Sequence, residues 1–189
     1  MGLFDEIRKA LMDLVVVLPK LNREHRKEIR EVVLQLQSEL ERSITLAIFY
    51  LDGVSRIKPR QELLDHLYHA PQSLMDTYNE YKICAGLYGL ADRFNEWFSS
   101  IRGSVNVNQI QSVETLIRDL AGGERLVIDG LRGTTQTLAD AARELELLHD
   151  EEYEERKAAL YERVALERNE LRNQIEWLSR TVRDVLKKM

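Results

Sequence analysis

The sequence predicts an all-α fold: an elongated antiparallel bundle of about four long helices, with a short amphipathic helix at its N-terminus. Three observations carry that prediction. Apolar residues recur in alternating steps of three and four along most of the 189 residues, the spacing of one helix face packed on another. Glycine and proline number only nine and three, too few for the turns that an all-β chain of this length needs. Charged residues make up 31% and fall between the apolar ones, as on solvated helix faces, while 44% hydrophobic content sets the chain apart from disordered sequences.

Residues 3–18 place Phe4, Ile7, Leu11, Leu14 and Leu18 on one face of a short helix, which Pro19 ends or bends. The next pattern spans residues 21–57. One track is Ile29, Leu36, Ser43, Tyr50 and Ile57, and its partner is Val33, Leu40, Ala47 and Val54. Around Ile44–Leu51 the segment is apolar on nearly all sides, which predicts burial all round at the centre of the core. Asp52, Gly53 and the Lys58-Pro59 pair mark its end. Residues 59–70 read as a short connecting helix with Pro59 in its first turn, and Pro71 separates it from the next element.

Residues 72–102 form an aromatic-rich pattern containing Tyr81, Tyr88, Phe94, Trp97 and Phe98. These are expected to be core residues packed on the Phe49–Tyr50 region, with Gly103 as the left-handed residue after the helix. Residues 108–149 hold one register through Ile110, Val113, Ile117, Leu120, Val127, Leu131, Leu138, Ala141, Leu145 and Leu148. Glycines 122, 123, 130 and 133 predict a bend within one continuous helix, or a close helix crossing. The C-terminal stretch, residues 151–189, has the cleanest seam: Val164, Leu171, Leu178 and Val185 on one track, Tyr161, Arg168, Ile175, Val182 and Met189 on the other. Such a helix is roughly 55–60 Å long at the usual rise, against about 35 Å for a compact domain of this size, hence the elongated form. Between Leu148 and Leu160 the seam fades into charge. A reversal is expected there, because the C-terminal seam needs a partner. Residues 1–19 are thus an accessory helix and 20–189 one long-helix domain.

Net charge is −5 and no basic run occurs, which argues against nucleic acid as the partner. The lone Cys84 lies in an apolar helical stretch and reads as a core residue in a reducing, cytoplasmic compartment. Asp5, Glu6 and Asp13 interrupt the N-terminus as a leader peptide, and Leu14–Leu18 is far short of the ~20 apolar residues that cross a bilayer.

Chemistry-bearing constellations are weak. One Glu-x-x-His, Glu146-Leu-Leu-His149, has no second copy to complete a di-metal bundle site. His66 and His69 can share a face, but their Pro-flanked segment offers little preorganisation. Arg60 with His66 and Arg143 with His149 match the spacing of a helical nuclease only loosely, and the charge balance is wrong for RNA. The glycines lack the preceding strand and the Gly-Lys-Ser/Thr of a phosphate loop. The expectation is a non-enzymatic interaction protein without cofactor or metal, a scaffold, adaptor or subunit of a larger assembly. Its partner is a protein or a second copy of itself. The candidate surface is Trp177, Arg168, Leu171 and Leu178, with Arg168 as a snorkelling edge residue or one paired with a carboxylate across a helix interface. Two further readings are a membrane-acting bundle using Leu3, Phe4, Ile7, Leu11 and Leu14, and a metal-binding bundle enzyme.

Overall fold

The computed structural model describes residues 11–12, 23–82, 86–104 and 107–189. Among these residues there is no strand. Six helices follow in order: α1 (Arg23–Arg56), α2 (Arg60–Glu80), α3 (Gly86–Ile101), α4 (Val107–Ala121), α5 (Gly123–Glu146) and α6 (Asp150–Lys187). A 3₁₀ turn, Arg102–Ser104, follows α3. No described helix is long and apolar enough to cross a membrane. Leu3, Phe4, Ile7, Leu14, Leu18, Pro19 and Cys84 lie outside the described residues.

The chain divides into two compact units. The first comprises Met1–Glu41, Cys84–Val127 and Gln174–Met189. Its buried residues include Ile29, Val33, Leu36 and Leu40 on α1, Leu87, Leu90, Ala91, Phe94, Trp97 and Phe98 on α3, and Leu178, Val182 and Val185 on α6. Trp97 stacks edge-on with Phe94 at 6.2 Å between ring centres, an arrangement that matches ring edge to ring face. Here α1 and α6 run antiparallel. Arg26 reaches the carbonyl of Met189, while Ser179 donates to Glu41 at 2.8 Å.

The second unit comprises Arg42–Ile83 and Ile128–Asn173. Four helical segments alternate in direction, as their cross-links show. Tyr50 of α1 lies 3.1 Å from the Thr77 hydroxyl of α2, Arg168 of α6 reaches Asp52 of α1, and Thr134 of α5 donates to Glu167 of α6. The core of this unit joins Leu51 and Val54 to Leu63, Leu67 and Ala70, to Leu138, Ala142 and Leu145, and to Tyr153, Leu160 and Val164.

Several local expectations are corrected. Pro71 does not separate two helices; it lies inside α2. An internal proline costs about 3 kcal/mol. Leu67, Ala70, Leu74 and Tyr78 form one fully buried stripe across it, and burying a single Leu contributes about 2 kcal/mol, so packing outweighs the break. Residues 72–102 are not one helix. Instead α2 closes at Tyr81, and Lys82 takes the left-handed conformation (φ 47°) usually given to glycine. Gly103 is not that residue for α3; no described glycine has positive φ, and Gly103 continues into the 3₁₀ turn. Residues 44–51 are not buried all round: Ile44, Ala47 and Leu51 are, but Phe49 is 67% exposed. Tyr81 and Tyr88, expected in the core, are exposed as well. Helix is interrupted at Gly122, between α4 and α5, where two consecutive glycines carry the largest backbone entropy cost. Gly130 and Gly133 mark no close crossing, because a Cβ added at either meets nothing within 4 Å.

The chain does reverse near residue 149. Helix α5 ends at Glu146 and α6 begins at Asp150. No Gly, Pro or Asn marks the turn. Arg60, from the start of α2, closes it. Its Nη2 donates to the Leu148 carbonyl at 2.8 Å, with those of Leu145 and Glu146 at 3.4 and 3.5 Å. Its Nη1 donates to Asp150 at 3.1 Å. A guanidinium at a helix C-terminus satisfies carbonyls that have no helical partner and meets the negative end of the helix dipole.

Candidate functional site

The four residues singled out on the C-terminal helix have different surroundings. Arg168 lies in the second unit, where Nη1 donates to Asp52 Oδ1 at 2.9 Å. Asp52 also has Arg56 at 3.7 Å and Arg172 at 3.8 Å, so one largely sheltered carboxylate faces three guanidiniums. The Arg168–Asp52 pair bridges α6 and α1 of the same chain and sets their register, since a one-turn slip would leave both charges partly buried without a partner. Leu171 is half-buried against the core of that unit. Leu178 has no exposed surface and belongs to the interior of the first unit. Trp177 is half-buried. None of the four presents a fully exposed side chain. Leu11 is fully buried.

A different apolar feature faces solvent in the second unit. Leu166 of α6 is 72% exposed. Ala159, seven residues earlier and therefore on the same helix face, borders a shallow groove of about 170 Å³ between α5 and α6. Ala141, Leu145 and Leu160 line it, with Glu144, Arg156 and Arg163 at the rim. All three rim charges are exposed. The sequence carried the signal: Leu166 falls on neither seven-residue track of the C-terminal seam, so an apolar side chain there has no core of its own chain to enter.

The motifs weighed for chemistry are not assembled. His149 lies in the non-helical connection after Glu146, so the two do not share a helix face. The Glu146 carboxylate instead accepts from the Tyr68 hydroxyl. Of the other two α2 candidates, His66 donates from Nε2 to the Tyr50 carbonyl at 3.2 Å, and His69 is exposed. Arg60 is engaged by the α5–α6 turn and Arg143 by Asp140. Among the described residues no three His, Cys, Asp or Glu side chains come together in a way that could hold a metal ion.

Among the described residues, the ionisable groups with a shifted pKa cluster around that turn. Tyr153 is buried, with Arg60 stacked over its ring at 4.3 Å and Lys157 at 5.2 Å. Its hydroxyl is buried without a hydrogen-bond partner, and loss of water raises its pKa. Burial raises that of Tyr161 too, whose hydroxyl donates to the Ile57 carbonyl at 2.7 Å. Lys157 is raised chiefly by its hydrogen bond to Glu154. Phenols held neutral and a lysine held charged do not form an acid–base pair near neutral pH.

Comparison with protein-family models finds no match, and neither does comparison with curated proteins or with solved structures.

Proposed function

We propose that this chain is a non-enzymatic cytoplasmic interaction protein, a scaffold, adaptor or assembly subunit, that works through helix–helix contacts. The observation that supports this reading is the outward stripe of α6, where exposed Leu166 continues the small-residue groove at Ala159. A helix laid there buries Leu166 and closes the groove. A second copy of α6 suits it by charge. An antiparallel pair crossing at Ala159 sets each Arg156 opposite a Glu162 and each Arg163 opposite a Glu155, all exposed residues. That is the self-complementary contact of a two-fold dimer.

Sedimentation at micromolar concentration tests it. The expected species is a dimer or larger, and Leu166→Glu is expected to return a monomer. Because Leu166 is exposed, that substitution should leave stability within about 0.5 kcal/mol of the parent. A parent protein that sediments as a strict monomer sinks the self-association reading.

A further inference from the structure

The first unit holds a cleft that the proposed helix contact does not use. It is about 340 Å³, within the size range of small-molecule sites, and the described residues lining it come from α1 and α3. One wall is His25, Glu28, Ile29 and Val32, a single face of α1. The other is Arg93, Phe94, Glu96 and Trp97 of α3. Ile29, Val32, Phe94 and Trp97 are buried and form an apolar, partly aromatic floor. The rim charges are not balanced. Arg93 is drawn to Glu31 at 3.7 Å and to Gln35 at 3.4 Å. Glu28 and Glu96, both exposed and one on each wall, make no ion pair among the described residues. An anion entering this cleft meets two carboxylates and an arginine already engaged. A cation meets two carboxylates at the rim of an apolar floor that includes two aromatic rings, groups that attract positive charge.

We infer that the α1–α3 cleft binds a small organic cation, an amine or quaternary ammonium carried on an aromatic or short aliphatic body. The body rests on Ile29, Val32, Phe94 and Trp97, and the ammonium lies between Glu28 and Glu96. Three probes sharing one ring separate charge from shape: phenethylamine, 2-phenylethanol and phenylacetate. The readout is the pair of indole N–H signals in the ¹H–¹⁵N spectrum of the full chain. Trp97 is told from Trp177, which is outside the cleft, by the signal lost in Trp177→Phe or, if that variant does not fold, in Trp97→Phe.

Phenethylamine is expected to move the Trp97 signal saturably, with a Kd of about 1 mM or tighter. It should bind at least about tenfold more tightly than either other probe, which lacks the positive charge for ionic and cation–π contacts, and Glu28→Gln with Glu96→Gln should remove at least about tenfold of that affinity, as loss of two ionic partners implies. Both glutamates are exposed, so the double variant should keep its fold, and the three-probe comparison on the parent stands without it. Affinities within tenfold of one another, a shift confined to Trp177, or no saturation below about 10 mM overturns the inference.

Discussion

Arg60 does at a distance what glycine or proline does locally. Its guanidinium holds three carbonyls at the end of α5, the first carboxylate of α6 and the face of Tyr153. Asp150 is solvated, so that single ion pair contributes little; the carbonyl contacts and the stacked ring matter more. Arg60→Ala is expected to lower unfolding free energy by about 2 kcal/mol in urea denaturation. Arg60→Lys should recover less than half, because an ammonium cannot fork across several carbonyls or stack flat on a ring. Full recovery by Lys would reduce the role of Arg60 to charge alone. No sequence pattern announced this contact, since Arg60 and Leu148 are 88 residues apart.

At the scale of the helix, periodicity was the legible part. On the tracks of residues 21–57, Ile29, Val33, Leu36, Leu40, Ser43, Ala47 and Val54 are buried and Tyr50 and Ile57 half-buried, as the spacing demands. Breakers were less legible. Pro71 is overridden by the stripe across it, and Gly122 interrupts helix while Gly130 and Gly133 do not. Those last two glycines are exposed in the interior of α5, with open space where a Cβ would stand. Gly130→Ala and Gly133→Ala should therefore each raise stability by about 0.5–1 kcal/mol, by reducing the freedom of the unfolded chain. Urea midpoints of the two variants check this; a decrease in either would mean that the glycine serves a contact.

For the whole molecule, the alkaline limb of stability follows from the tyrosines. Burial raises Tyr153 and Tyr161 above the ordinary phenol value of about 10. Tyr68 moves the same way through its hydrogen bond to Glu146. A folded pKa raised above the unfolded one means stability present in full below about pH 10 and lost as pH rises through the folded values. Lys157, also raised, acts in the same direction. Denaturant titrations should be flat between about pH 7 and 9 and fall above about 10. In Tyr153→Phe the fall should be smaller. That variant should also be no less stable at neutral pH, because it removes a buried hydroxyl that has no hydrogen-bond partner. An unchanged alkaline limb in Tyr153→Phe would count against this assignment.

Helix, and the inward-turned seams of α1, α5 and α6, were determined by the sequence alone. Both follow from residues three and four apart, and that spacing is local. The tertiary structure decided the rest: that α2 continues through Pro71, that a turn without turn residues closes on Arg60, and that Arg168 answers Asp52 across 116 positions. These depend on contacts between residues far apart in the chain, and their energies outweigh the local preferences from which a sequence is read.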